Sequence, residues 1–261
     1  MNNSCELSSQ LAAALPVMVR ILETGGNLGY TGGANIGIRD ALRHDEELFV
    51  VMAHDVLVTG QDLAALAHIM RTDSTIGVVG PAQRTGVRAG GWWDRGRRGF
   101  ADLPQDGAGP VERDWLSGAL LMISSQGALD VGGFDEQLGS YVEDIDYCVR
   151  IAAAGLRVVL DPSVTIETFG RKALRVTRLV DRNHGIVAFK HDGWVGLARV
   201  AWFVVIGALR SVAGMVRPGR TLARRRLSAE HAWDHFVSLL ALPATPIAAA
   251  RNSEARHEEK C

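Results

Sequence analysis

The chain has 261 residues, of which 47% are hydrophobic and only 3 are cysteine. This composition excludes a disordered protein, a collagen-like fibre and a scaffold held together by disulfides. The formal net charge of -1 conceals an uneven distribution. Residues 1–170 carry 12 Lys and Arg against 22 Asp and Glu, whereas residues 171–261 carry 16 against 7. The sequence therefore predicts an acidic body suited to cation or phosphate chemistry, and a basic C-terminal part that binds an anionic surface.

Cysteine usage and the opening segment indicate the compartment. Cys5, Cys148 and Cys261 lie far apart and form no CxxC pair, which argues against a structural zinc site and against secreted disulfides. The segment MNNSCELSSQ has no basic region followed by an apolar one, so no signal peptide is visible. We therefore expect a cytoplasmic protein.

The first eighty residues alternate between helical and strand patterns. The predicted helices are 6–15, Asn35–Arg43 and Asp62–Arg71. The predicted strands are the apolar runs Val17–Leu22, Leu48–Met52 and Ile76–Val79. This order predicts an α/β fold with a largely parallel sheet, helices on both faces, and ligands bound beyond the carboxyl ends of the strands.

The pattern continues after a long connection. Residues Gln83–Pro110 are rich in Gly and Arg and predict a mobile loop or a flap. The elements predicted beyond it are strand Gly118–Ser124, helix Gln126–Val131, helix Tyr141–Ala154, and strands Leu156–Leu160 and Val164–Ile166.

A glycine-dense segment, Asn27–Gly37, predicts a turn between a strand and a helix. Glycines let the backbone approach a ligand closely, and a helix N-terminus offers N–H groups to phosphate, although a simple tight turn explains the same residues. The spacing is neither GxGxxG nor a Walker loop, so a nicotinamide enzyme and a P-loop NTPase are not supported.

Carboxylates occur at two places where chemistry is expected. Asp55 follows a predicted strand, where a carboxylate is a suitable ligand for Mg²⁺ or Mn²⁺, although a lone Asp is more often a cap or a turn residue. Glu143, Asp144 and Asp146 crowd the start of a predicted helix, which is one way to make a general base, or else simply a solvated acidic turn. Helical spacing brings Glu143 and Asp146 together and leaves Asp144 to face a substrate.

Several motifs in order resemble the family 2 glycosyltransferases, specifically the bacterial rhamnosyltransferase-like branch with the GT-A fold. The resemblance covers about residues 2–190. The motifs are NLGYTGGANIG, FVVMAHDVLV, DWLSGALLMIS, GGFDEQLGSYVEDIDYCVRIAAAGLRVVLDPSV and Arg182-Asn183.

The resemblance implies transfer of a sugar, with inversion, from a nucleotide diphosphate sugar to an acceptor hydroxyl. It implies that Asp55 holds the divalent metal at the donor diphosphate and that Asp144 is the catalytic base. It implies donor or nucleotide contacts for Asn27, Gly29, Gly33, Asn35, Trp115, Ser117 and Gly118, and acceptor-side positions for Asp135, Glu136 and Glu143.

Three features depart from the family pattern. The chain starts at Met1-Asn2-Asn3-Ser4, apparently inside the motif that ends the family's second strand, so we expect an N-terminally truncated domain that lacks the first strand. Ala53-His54 replaces the usual residues before the metal ligand, and Thr168 stands where the family usually has a metal-binding His. The alternative function is therefore an inactive relative that acts as a membrane-peripheral binding or scaffold subunit.

The basic C-terminal part contains the apolar stretch Trp194–Val216. Arg199, Arg210 and Arg217 lie along one helical line, which suggests an interfacial membrane helix; a helix packed on the body and a transmembrane span are the alternatives. No nucleic-acid module is recognisable. We expect a glycosyltransferase domain at 1–190, an amphipathic basic segment at 191–227, and a short helix with a disordered tail at 228–261. The expected acceptor is a lipid-linked or cell-envelope glycan at the inner face of the membrane.

Overall fold

A computed structural model describes residues 21–84, 89–94, 97–100, 109–169, 177–216 and 222–241. The chain divides into two compact units, Met1–Trp92 with Phe100–Gly170, and Trp93–Gly99 with Arg171–Cys261. The predicted helix 6–15, most of strand Val17–Leu22 and the predicted disordered tail lie outside the described residues. The family domain boundary expected at residue 190 stays a prediction, while the units themselves divide between Gly170 and Arg171.

The first unit is built from short helices and a mixed sheet. Its helices are α1 (Gly29–Arg43), α2 (Gly60–Thr72), α3 (Ser125–Val131) and α4 (Glu143–Ala153). The strands up to the middle of the chain are β1 (Leu48–Met52), β2 (Val56–Leu57), β3 (Ile76–Gln83), β4 (Gly90–Asp94) and β5 (Arg97–Phe100). The remaining strands are β6 (Val111–Glu112), β7 (Trp115–Leu116), β8 (Leu120–Ser124) and β9 (Arg157–Thr168).

The main sheet has the order β1–β8–β3–β9–β2, and β6 also pairs with β9. Strands β3 and β9 run parallel, whereas β8 runs antiparallel to both β1 and β3. Strands β2 and β6 are antiparallel to β9 as well. The described sheet is thus mixed, where the sequence predicted a largely parallel one, because an apolar run of strand length does not reveal its direction.

Strand β3 forms the centre of the sheet, and every one of its residues is buried. Ile76 joins a core cluster with Leu66 and Met70 of α2. The next residue, Gly77, faces α4, since a Cβ there would lie 2.7 Å from Ile151 Cγ2. Successive strand residues point to opposite faces of a sheet, so helices cover both faces as predicted.

The predicted glycine turn is instead the first turn of a helix. α1 begins at Gly29, six residues before the predicted start, and the Thr31 N–H donates to the Gly139 carbonyl at 2.9 Å. Gly29 has φ of +71°, and a Cβ there would lie 3.0 Å from the Gly139 oxygen, so both conformation and close packing require glycine. Glycine was interpreted as a turn signal, whereas Gly29 serves the contact between α1 and residue 139.

Two other predicted boundaries differ. The predicted loop Gln83–Pro110 contains β4 and β5, and β4 pairs with β7. The two short strands predicted around Asp161-Pro162 are one strand, β9, with a register shift there. Such a bulge accommodates a proline within a sheet, and the Asp161 carboxylate accepts the Ser163 N–H at 2.9 Å.

Apart from the end of β4 and most of β5, which lie in Trp93–Gly99, the described part of the second unit is helical. α5 (Thr177–Val216) consists of two helical segments that meet at Gly193, where φ is +60° and ψ is −146°. The second segment turns back so closely that a Cβ on Gly196 would lie 2.4 Å from the Ala188 carbonyl oxygen. The second segment therefore coincides with the predicted apolar stretch Trp194–Val216. α6 (Leu222–Ala241) follows and begins six residues before the predicted position 228.

Polar contacts join the helices of the second unit. His235 Nδ1 of α6 lies 2.8 Å from Asp181 Oδ2 of α5, and Arg178 Nε donates to Asp234 Oδ1 at 2.6 Å. A Cβ on Gly207 would lie 3.0 Å from His235 Nε2, so glycine permits close approach of the two helices. The face of α5 that meets α6 is therefore partly polar.

Candidate active site

The chain enters α4 through two residues with left-handed backbone. Tyr141 has φ of +69° and Val142 has φ of +71°. A β-branched residue rarely adopts this conformation, and each such residue costs on the order of 1–3 kcal/mol, a strain that is found most often at functional sites. The strained entry presents the first turn of α4, which carries the predicted catalytic carboxylate.

Asp144 is the partly exposed carboxylate of that turn. Its Oδ2 accepts the Gly118 backbone N–H at 2.9 Å, and its Oδ1 accepts the N–H of Ile145 at 2.9 Å. These bonds orient the carboxylate while leaving it accessible to solvent. A base that must take a proton from a substrate needs both properties.

The two neighbouring carboxylates have different environments. Glu143 is buried, with 8% of its surface exposed, and its Oε2 has no hydrogen-bond partner among the described residues. Burial first, and then the charge of Asp144, raise the pKa of Glu143 to about 8, so it keeps its proton at neutral pH. Asp146 is fully buried and pairs with Arg150 at 2.8 Å. The helical spacing predicted this division, in which Asp144 faces outward.

The segment predicted to line the donor sugar lies beside Asp144. The Gly118 carbonyl accepts a hydrogen bond from the Tyr30 hydroxyl at 3.1 Å, so both backbone polar groups of Gly118 are bonded. Ser117 Oγ accepts from the Gln83 side chain at 2.8 Å. Trp115 is only 3% exposed, so its ring belongs to the core. Tyr30 and Gln83 escaped sequence analysis because their partners are 88 and 34 residues away in the chain.

Asp55 lies in the connection between β1 and β2. Its backbone carbonyl accepts the Phe169 N–H at 2.9 Å, and the adjacent Val56 pairs with Thr168. Ala53, two residues earlier, donates its N–H to the Ala119 carbonyl at 2.9 Å. Backbone hydrogen bonds therefore link the segment of the predicted metal ligand to the donor-lining residues, at the edge formed by the carboxyl ends of β1 and β9. The Gly118 N–H links the donor-lining residues to the side chain of the predicted base.

The donor set at this edge suits a metal that is shared with a substrate. The described residues contain no group of three or more His, Cys, Asp or Glu that would hold a metal alone. A Mg²⁺-type ion is commonly bound by one or two carboxylates, with substrate phosphates and water completing the shell. Asp55 would provide one carboxylate, and Thr168, which pairs with the adjacent Val56, would provide a weaker oxygen ligand. These residues fit a divalent ion that binds together with a diphosphate.

The residues predicted to contact the nucleotide fall into two groups. Asn27 is exposed, and its side-chain oxygen accepts the Gly29 N–H at 2.9 Å. Gly33 and Asn35 are buried in α1. Asn35 donates to the Phe134 carbonyl at 2.9 Å and accepts the Phe134 N–H at 2.7 Å. Its side chain is thus engaged with the Phe134 backbone, and a nucleotide contact would have to break these bonds.

The acceptor-side residues of the predicted loop also have internal partners. Asp135 is buried and its carboxylate accepts the Gln137 N–H at 3.2 Å. Glu136 accepts from Asn35 Nδ2 at 3.0 Å. Gly133, just before them, has no room for a side chain, since a Cβ would lie 2.3 Å from Asn35 Oδ1. α1 and this loop are therefore fixed to each other.

Comparison with known proteins finds glycosyltransferases. The chain is 29% identical over 262 residues to the N-acetylglucosaminyl-diphospho-decaprenol L-rhamnosyltransferase of Mycobacterium tuberculosis, covering 86% of this chain and 84% of that protein. It is 24% identical over 149 residues to the low-salt glycan biosynthesis hexosyltransferase Agl10 of Haloferax volcanii, covering 54% of this chain and 48% of that protein. No family model matches the chain.

A solved structure supports the fold. The structure of GalNAc-T7 with UDP, GalNAc and Mn²⁺ matches with a TM-score of 0.58 at 14% identity. The match covers 88% of this chain and 46% of that one, so the chain spans about half the length of this structure. The likeness shows the GT-A fold. Together with the sequence similarity to rhamnosyl- and hexosyltransferases, it identifies the chain as a glycosyltransferase with the GT-A fold.

Proposed function

We propose that this protein transfers a hexosyl group, with inversion, from a nucleotide diphosphate sugar to a hydroxyl of a lipid-linked glycan. The observation that carries the proposal is Asp144, an accessible carboxylate oriented by the Gly118 N–H at 2.9 Å. The M. tuberculosis relative is named for L-rhamnose transfer to a diphospho-decaprenol acceptor. We therefore propose a nucleotide diphosphate L-rhamnose as donor and a polyprenyl diphosphate glycan as acceptor.

In the proposed reaction the Asp144 carboxylate takes the proton of the acceptor hydroxyl. The acceptor oxygen forms its bond to the anomeric carbon on the side opposite the bond to diphosphate, which breaks with its electron pair leaving on the diphosphate. A buried, protonated Glu143 leaves the negative charge of the pair on Asp144. Inversion follows from this single displacement.

A divalent cation, when bound at Asp55, would neutralise the charge that develops on the leaving diphosphate. Asp55 and, more weakly, Thr168 are the residues that would hold it. Carboxylate oxygen suits both Mg²⁺ and Mn²⁺. His54 is exposed in the same connection.

Calorimetric titration of the full chain with UDP, GDP and dTDP, with and without Mn²⁺ or Mg²⁺, tests the donor site. Metal-dependent nucleotide binding should be lost in Asp55→Asn and kept in Asp130→Asn, an exposed carboxylate on α3. Turnover is tested with L-rhamnose linked to each nucleotide. Asp144→Asn should bind nucleotide as the wild type does and lose at least about 100-fold in kcat. Absence of metal-dependent binding in the wild type would favour the inactive, scaffold-type relative instead.

We also propose that the second unit attaches the protein to the cytoplasmic face of an anionic membrane. Among the described residues one helix, Thr177–Met215, is by length and composition apolar enough to cross a bilayer. Exposed apolar side chains on α5 include Trp194, Trp202 and Leu209, which are 68%, 62% and 64% exposed. Tryptophan favours the boundary between lipid and water.

Ion pairs between α5 and α6 favour an interfacial position of α5 at the membrane over a transmembrane span. The pairs that α5 makes with α6, Asp181 with His235 and Arg178 with Asp234, are unfavourable inside hydrocarbon. The predicted cationic line along α5 is reduced, because Arg199 pairs with Asp94 at 3.0 Å. Arg210 is exposed, and Arg217 lies outside the described residues. We therefore assign most of the membrane affinity to the apolar face.

A further inference from the structure

Tyr30 lies within the motif NLGYTGGANIG but has no role assigned from the sequence, yet its hydroxyl reaches the centre of the candidate active site. It donates to the Gly118 carbonyl at 3.1 Å, and the Gly118 N–H donates to Asp144 at 2.9 Å. The peptide groups on both sides of the Gly118 Cα are therefore held by side chains. Glycine has the most mobile backbone of any residue, so its orientation depends on such bonds.

The position of Tyr30 is itself fixed. Its own N–H lies 3.4 Å from Ser140 Oγ, and the N–H of Thr31 donates to Gly139 at 2.9 Å. Residues 139 and 140 immediately precede the strained entry into α4. The first turns of α1 and α4 thus lie on either side of Gly118. The Tyr30 hydroxyl of α1 bonds the Gly118 backbone, which in turn orients Asp144 of α4.

The hydroxyl is suited to act as a permanent donor. Burial first, and then the charges of Glu143 and Asp144, raise the pKa of Tyr30 above its ordinary value. The phenol therefore keeps its proton throughout the working pH range. Its ring also packs against Phe134, with centroids 6.1 Å apart, a contact that phenylalanine would retain.

We propose that Tyr30 is a positioning residue for sugar transfer: its hydroxyl fixes the Gly118 backbone so that the Gly118 N–H orients the Asp144 carboxylate towards the acceptor. This inference rests on the proposed role of Asp144 as base. The hydroxyl touches neither donor nor acceptor in this scheme. Its effect reaches the reaction through one backbone hydrogen bond.

The test compares Tyr30→Phe with Tyr147→Phe. Tyr147 is also buried and packs on the same Phe134 ring, and its hydroxyl has no hydrogen-bond partner in the part of the chain that the structure describes. Tyr30→Phe should lower kcat about tenfold, the value of one lost hydrogen bond, with the KM for donor within about twofold of the wild type. Tyr147→Phe should change neither. Thermal unfolding of both variants checks that the fold is kept.

A readout that needs no turnover accompanies the kinetics. The Gly118 amide signal in an NMR spectrum of the ¹⁵N-labelled chain should follow the ionisation of Asp144, and Asp144→Asn should abolish that titration. Loss of the Tyr30 hydroxyl loosens the N–H bond that favours the carboxylate, so the midpoint should move to higher pH. The described ionisable groups whose charges interact with Asp144 include Glu143 and Cys148 on its own helix and Tyr30 from α1.

The outcomes separate this inference from the proposed function. If Asp144→Asn keeps its turnover, the base assignment fails, while the NMR midpoint still tests the bond network. If Asp144→Asn is inactive and Tyr30→Phe matches the wild type in kcat and midpoint, only the role of Tyr30 is overturned. A fall in kcat with an unchanged midpoint would also overturn it, because the hydroxyl would then act by another route.

Discussion

Gly118 and Asp144 lie so close that a side chain on Gly118 would contact the carboxylate it bonds. A Cβ built on Gly118 lies 3.2 Å from Asp144 Cβ and 3.5 Å from its Oδ2. Gly118→Ala should therefore displace the Asp144 carboxylate and lower kcat at least about tenfold, with a smaller effect on unfolding temperature. Gly60→Ala is the matched control, since a Cβ there meets nothing within 4 Å. Equal kcat in the two variants would contradict an orienting role for this contact.

Glu143 makes stability depend on pH in a definite direction. Its pKa is about 8 in the folded chain against an ordinary value of 4.5, so between these values the unfolded state has lost a proton that the native state keeps. The free energy of unfolding should therefore fall as pH rises from about 4.5 to 8, by at most ~1.4 kcal/mol per pH unit, and level off above that.

Glu143→Gln removes this pH dependence. The free energy of unfolding of the variant should therefore rise relative to that of the wild type as pH rises from about 4.5 to 8. Urea unfolding at intervals between pH 5 and pH 9 measures the difference, with the exposed Glu46→Gln as control. Parallel curves for the wild type and Glu143→Gln would show that Glu143 is ionised in the folded protein.

The apolar runs and the acidic turn were sufficient to predict much of this arrangement. Leu48–Met52 forms the predicted strand, and helical spacing predicted that Asp144, not Asp146, would be exposed. The predicted start of α1 was wrong, because Gly29 is required by its contact with Gly139, more than a hundred residues away. Local patterns carry no information about such a contact. For the same reason the bonds of Tyr30 to Gly118 were not predictable.

Asn35 distinguishes a structural role from a nucleotide contact. Asn35→Ala would leave the buried N–H and carbonyl of Phe134 without partners, so we expect a loss of about 2–4 kcal/mol in the free energy of unfolding. The affinity of the folded variant for UDP or GDP should stay close to that of the wild type. Exposed Asn27→Ala should leave stability unchanged. Weaker nucleotide binding by Asn35→Ala at wild-type stability would instead support the contact predicted from the sequence.

The apolar face of α5 should govern membrane attachment. Replacing Trp194 and Trp202 with Ser should reduce sedimentation of the full chain with vesicles of anionic lipid at least about tenfold, because two exposed indole rings lose their place at the interface. Leu129→Ser, which changes an equally exposed apolar residue of the first unit, is the control. An unchanged bound fraction for the double variant would reject this face. Strong loss of binding on raising salt alone would assign attachment to the basic residues.

The close packing of α1 against the loop before α4 restricts which substitutions this sequence can accept. Gly133 lies where a Cβ would come within 2.3 Å of the Asn35 side-chain oxygen. A relative with a smaller residue at position 35 is released from the need for glycine at position 133, so the two positions should vary together among homologues. For chimaeras that exchange loops between glycosyltransferases, residues 131–136 and α1 have to be transplanted as one piece.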